Sequence, residues 1–328
     1  MSHLNLLPMA QSNVGVRCDF DVDIRKFHTD GSLQSERRVL TKCPNLITNL
    51  GMDAFGEDST QYFARIMMAY LQVGTSTTPP EFTDTVLGTR VTAVGPGGTG
   101  DNAWAWDTTN NHILVYTRVY QFGVGAAAGA LKELGLSAST TGSVFTRALF
   151  KDAFGDPMTV NVAADEQLVV TYRLYFTANE SDYVFVTVQN GIEYTVTTRV
   201  AGLSTSTAPL DQYWATLSGI AVGYSNGNVD LLGRYGVTSG LNPVTSPDTT
   251  GTDAGYIYNG TIKTAYVPGS YYVDQSVTIG LNQFNVNDLG AFLFLGSPFR
   301  VQMSVSPRIN KTSNDTIKIT MRTSWSRT

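Results

Sequence analysis

The chain has 328 residues, a net charge of −5 and only 15% charged side chains, well under the quarter typical of globular domains. Gly (31) and Tyr (16) are plentiful, which suits many short strands joined by tight turns, and the length allows one large domain or two ordinary ones. No basic cluster is longer than Glu36-Arg37-Arg38, so the charge that grips duplex phosphates is missing and nucleic acid is not an expected partner.

Residues 1–14 show neither a basic segment leading into an apolar run nor, like the rest of the chain, a stretch of ~18 apolar residues. Cytoplasmic synthesis of a soluble product, with no membrane insertion, is the expectation. The segment reads as an extended arm of the kind that completes a neighbouring subunit. In residues 16–25, Val16, Cys18, Phe20, Val22 and Ile24 alternate with Arg17, Asp19, Asp21, Asp23 and Arg25, the period of a strand with one buried and one wet face. Three carboxylates on one face invite a calcium reading, but at ~6.8 Å spacing they repel by only about 0.6 kcal/mol in water. A plain solvated face is expected. His28 to Gly31 turns the chain, and residues 32–40 return. Cys18 and Cys43 would face each other only in one register, and two thiols make no disulfide scaffold, so both are expected reduced.

A first short helix is expected over 51–55 behind Thr48 or Asn49 as N-cap, and a second over 60–69 behind Asp58, Ser59 and Thr60. Residues 70–74 read as a buried strand and 75–84 as a polar loop. Residues 94–101 are too rich in Gly and Pro to be regular. Within them Gly95 to Gly100 spells G-x-G-x-x-G, but the next residues open no helix to meet a pyrophosphate, so a loop is expected. Residues 104–107 and 113–122 form a strand pair, with Trp104 and Trp106 on one face. Exposed aromatics of this kind stack on sugars or anchor interfaces; core packing is the commoner fate. Residues 123–130 read as a flexible approach to the strands over 144–176.

Residues 144–150 alternate as a strand, Phe154-Gly155-Asp156-Pro157 reverses the chain, and strands recur over 159–163 and 168–176. Asn190-Gly191, between alternating runs over 184–196, specifies a type I′ hairpin. Gly223 to Gly227 matches G-x-S-x-G, yet Asn226-Gly227 continues into a strand-like run where a nucleophile elbow needs a helix. A turn is expected there, as at Asn259-Gly260. Residues 241–255 form a loop long enough to make contacts. Strands over 271–281, 291–295, 300–307 and 316–326 close the chain, and Tyr271-Tyr272 place one ring on each side of the first.

His3, His28 and His112 have no ligand spacing to one another or to Cys, so zinc is not expected. No cofactor is implied. A glycosidase needs two carboxylates ~5 to 9.5 Å apart, which the sequence does not exclude.

The run SVFTRALFKDAFGDPMTVNVAADEQLVVTYRLYF at 143–176 resembles a stretch common in structural proteins of tailed bacteriophages, their tail, fibre or appendage components. Residues 45–56 (NLITNLGMDAFG), 71–87 (LQVGTSTTPPEFTDTVL) and 317–327 (IKITMRTSWSR) are similar to other parts of such proteins in the same order. The resemblance implies a virion protein that meets other virion proteins, and it transfers no site residues. Oligomerisation is expected from the residues themselves, since many strands, long uncharged loops and a loose N-terminal arm suit a part that buries surface against copies of itself. The fold expected from the residues is mainly β: antiparallel β-sandwich-like sheets with one or two short helices near the N-terminus. It divides into an arm (1–14), a β-rich core (15–178) and a second β-rich lobe (179–328), separate from the core or packed with it as one unit. The function expected is that of a non-enzymatic virion subunit. A tail protein reading host-surface glycan is the alternative, with Trp104, Trp106, Tyr271 and Tyr272 as interface or glycan contacts. A polysaccharide depolymerase is less expected, because no repeat is present.

Overall fold

A computed structural model describes residues 2–56, 67–97, 102–106, 113–201, 233–236, 241, 255–257, 262–281, 286–294 and 300–328. The molecule is mainly β with antiparallel pairing dominant. The first third comprises β1 (Ser2–Phe27), β2 (Leu33–Ile47), α1 (Asn49–Ala54), β3 (Tyr70–Gly74), β4 (Arg90–Val94), β5 (Asn102–Trp106) and β6 (Ile113–Gln121). Then come β7 (Gly129–Leu131), β8 (Glu133–Ser137), β9 (Thr146–Leu149), β10 (Val160–Val162), β11 (Glu166–Ala178), β12 (Tyr183–Gln189) and β13 (Ile192–Ala201). The remainder is β14 (Gly233–Gly236), β15 (Gly255–Ile257), β16 (Ile262–Lys263), β17 (Tyr272–Ile279), β18 (Val286–Phe294), β19 (Arg300–Lys311) and β20 (Asp315–Arg327).

The spine is β1. One edge pairs with β11 from Val14 to Lys26, and the other is shared between β20, parallel over Ser2 to Val16, and β2, antiparallel over Cys18 to Phe27. The segment expected as an extended arm is therefore the first half of this strand, laid along the C-terminal strand of its own chain. Because β20 and β17 join the large sheet through β1, strands from both sides of position 178 share one sheet.

Even-numbered residues of β1 from Val14 to Ile24 are buried, and they pack with Tyr172, Leu174 and Phe176 of β11 and Tyr120 of β6. The arm β2-β9-β8-β3-β4 folds back over this face, so that the ring of Phe20 meets that of Phe150 edge-on at 6.0 Å. Thr48 caps α1, its hydroxyl accepting from the N–H of Gly51 at 3.1 Å, and Met52 and Phe55 close the core from the helix side. The second expected helix falls mostly on residues 57–66, outside the described residues. A second core joins the six-stranded sheet, through Phe185, Tyr194, Val196, Val301 and Met303, to Ile317, Ile319 and Met321 of β20. Two sheets thus face each other as in a sandwich.

Several local expectations are corrected. Thr146 to Leu149 of β9 are all buried, so that strand has no face left in solvent: Tyr172 bonds Thr146 on the core side, and Thr78 and Asp84 of the loop over 75–89 bond Arg147 on the other. The turn at 154–157 is present, with Gly155 at φ 89°. Its two limbs separate after the Lys151–Pro157 bridge, β9 going to β2 and β8 while β10 joins β7. The run 123–130 is pinned rather than flexible: the N–H of Gly125 donates to the Glu166 carbonyl at 2.9 Å, and Ala127 is buried. Cys18 lies opposite Asn45 and Cys43 opposite Phe20, a two-residue offset that leaves both thiols buried and free.

Candidate interaction surface

The acidic face of β1 is a filled ion-pair ladder, correcting the expectation of a wet face. Asp19, Asp21 and Asp23 are 5%, 5% and 7% exposed. Arg173, reaching across from β11, donates from Nε to Asp19 at 2.7 Å and from both terminal nitrogens to Asp21 at 2.7 and 2.8 Å. From β2, Arg38 holds Asp23 at 2.7 and 2.9 Å, and Arg17 lies on the Tyr175 ring at 3.7 Å. Every carboxylate has an arginine, which is what makes burial tolerable and leaves no vacancy for calcium among these groups. Burial opposes ionisation of Asp21, but the Arg173 hydrogen bonds, the Lys42 N–H and the nearby guanidiniums outweigh it and hold its carboxyl below the usual range. That N–H sits in a bulge of β2 where Lys42 adopts φ 49°, so Asp21 also fixes the direction in which Lys42 leaves the sheet.

Where β2 leaves β1 for β9, the strands part and open a cleft of about 730 Å³, whose lining includes Lys42, Pro79, Phe82, Arg147, Lys151 and Arg327. Its deep wall is Arg147, which is 2.9 Å from Glu133 and 2.7 Å from Asp84, the arginine and glutamate side chains being 3% and 0% exposed. Glu133 also accepts from the N–H groups of Ser76, Gly88 and Thr89. One buried ion pair thereby ties down residues 75–89.

The sheet edges differ in how they are protected. Along its outer edge β2 carries Glu36, Arg37, Arg38, Lys42, Pro44 and register shifts, devices that discourage another strand from adding. β12, the edge of the six-stranded sheet, carries none of these. Its sequence Tyr-Val-Phe-Val-Thr-Val-Gln has no charge and no proline, and it keeps an unbroken register with β13. Phe185 and Thr187 point inward, while Val184, Val186 and Val188 are 56%, 52% and 60% exposed. The Asn190-Gly191 turn, with φ 51° and 78°, holds this hairpin in the expected I′ geometry. Among the described residues β12 pairs with β13 alone.

The aromatic candidates part company. Trp104 and Trp106 lie on β5 opposite Tyr116 and Leu114 of β6, confirming the strand pair; their side chains lie outside the described residues. Tyr271 is partly buried against the core, and its hydroxyl donates to Asn49 at 3.2 Å. Tyr272 is 36% exposed, with the Arg322 guanidinium 3.7 Å above its ring. The structure does not bring the four together. The motif at 223–227, the turn at 259–260, most of the loop 241–255, the end of the Gly95 to Gly100 motif, and His112 lie outside the described residues. Compared with known proteins, the chain matches no family model, no curated protein and no solved structure.

Proposed function

We propose that this chain is a structural, non-enzymatic subunit of a phage virion. Made in the host cytoplasm, it assembles with copies of itself and with other virion proteins into the tail, neck or an appendage. The virion part of the reading rests on the resemblance of residues 45–56, 71–87, 143–176 and 317–327. The assembly part is carried by β12, a seven-residue edge strand without charge, proline or bulge whose outward side chains are valines. Two copies of β12 placed antiparallel about Val186 would match Val184 with Val188 and valine with itself, an isologous contact.

Magnitudes limit what that contact achieves alone. Covering six half-exposed valines is worth at most about 1 kcal/mol each, roughly 6 kcal/mol in all, while association costs at least about 4 kcal/mol in lost freedom. The β12 pair makes a weak dimer by itself, and a stable assembly needs further contacts.

Immunogold electron microscopy with an antibody against the chain, applied to phage particles from a host carrying its gene, tests the virion reading. Gold on a ring or tube-like zone of the tail or neck is the expected result. Particles left unlabelled by an antibody that recognises the protein in the same lysate would overturn it.

A further inference from the structure

We propose that the turn from Asp152 to Asp156 of one copy seats in the cationic cleft beside β2 of a second copy, with Phe154 entering the cleft and the two aspartates meeting its cations. This names a partner surface for the proposed self-assembly and rests on that reading, but it uses neither β12 nor the valine row.

The turn is built to present its ring. Phe154 is 92% exposed, yet the backbone beneath it is fixed. The Asp152 carboxylate accepts from the N–H groups of Phe154 at 2.9 Å and Asp156 at 3.0 Å, the Asp152 N–H donates to the Asp156 carbonyl, and Gly155 supplies φ 89°. A pre-ordered aromatic knob loses little backbone entropy on docking, and aromatic anchors of this kind dominate interfaces.

The cleft is the complementary shape and charge. Its volume of about 730 Å³ is ample for one aromatic side chain. Its wall joins Phe82, which is 50% exposed, to Pro79 and Pro80. Arg327 lies 4.3 Å over the Phe82 ring and is clamped by the Ile47 carbonyl and the Asn49 amide oxygen, both at 2.8 Å. Lys42 and Lys151 stand at the same cleft. Among the described residues none of these three cations has a carboxylate within ion-pair distance, whereas the one aspartate lining the cleft, Asp19, is already held by Arg173. On a chain of net charge −5, a cleft whose three cations face no carboxylate partner, set around an aromatic wall, fits a ligand that is apolar in the middle and acidic at its ends. The Asp152 to Asp156 turn is such a segment. Phe154 does not reach the cleft of its own chain, as its exposure shows, so the occupant is another copy. Knob and cleft share no residue but adjoin, Lys151 of the cleft preceding Asp152 of the turn, so two copies can exchange knobs about a two-fold axis, while one-sided docking propagates into a ring or a stack.

The probe is a fluorescent, head-to-tail cyclised peptide of residues 151–157, titrated by anisotropy against the full chain carrying Val186→Lys, so that β12 pairing does not contribute. Saturable binding is expected, weakening with salt. It should fall on the order of 30-fold for a Phe154→Ala peptide, as for an interface hot spot, and likewise against a Lys42→Glu, Phe82→Ser protein whose thermal midpoint is unchanged. In sedimentation, the Phe154→Ala chain and the Lys42→Glu, Phe82→Ser chain, both carrying Val186→Lys, should each stay monomeric alone and form one-to-one heterodimers when mixed. Absence of peptide binding, or binding that ignores both substitutions, would overturn the proposal. Should the unsubstituted chain still associate in that case, the assembly reading stands and only this contact fails.

Discussion

Arg173 grips Asp21 through two near-parallel N–H···O bonds of 2.7 and 2.8 Å across the β1–β11 pair, while its Nε donates to Asp19. Because Asp21 has a folded-state pKa below its unfolded value of ~3.9, its contribution is fully present above that value. It is lost as pH falls through the depressed folded pKa. The thermal midpoint of the wild-type protein should therefore drop below about pH 4. Asp21→Asn should lower stability by about 1–3 kcal/mol at neutral pH and flatten the acid limb of a midpoint-versus-pH curve. An acid limb unchanged by the substitution would show that this carboxylate is not the one titrating.

Glu133 and Arg147 form an ion pair enclosed on both sides. Arg147→Ala leaves a buried carboxylate without its main partner and should cost about 3–5 kcal/mol in urea denaturation. Since the same arginine also bonds Asp84 and the Thr78 carbonyl, limited proteolysis of the variant should produce new cuts within 75–89. Cuts elsewhere, or a loss below about 1 kcal/mol, would mean that the pair is not what holds that loop.

The thiols should be inert. Burial pushes Cys18 up to about 12 and raises Cys43 as well, so little thiolate forms at pH 8. A thiol reagent should label neither residue in the native protein within minutes and both at once in denaturant. Fast native labelling would place one of them at the surface.

How much of the fold is legible in the sequence depends on where the determining partner sits. The Asn190-Gly191 hairpin and the Thr48 cap are decided by residues a few positions apart, and both are readable. The aspartates of β1 look solvated because their arginines come from β2 and, about 150 positions on, from β11; nothing local announces that pairing. Strand β8, buried on both faces, lacks the alternation that reveals a half-exposed strand, and the alternation read through β9 marks a strand but no wet face, since both of its faces are buried. The alternating pattern of β12 is visible, but an alternation cannot say which of its two faces ends up in solvent, and here the outer one is valine. In the sequence Phe154 is only part of a turn. Its significance needs the cleft, which exists only because β2 changes partners.

Sedimentation velocity across a concentration series, run on the wild-type chain and on Val186→Lys, tests self-assembly through β12 most directly. A weight-average coefficient that climbs with concentration, and climbs less for the variant, is the predicted result. A single monomer boundary for the wild type at every loading would contradict it.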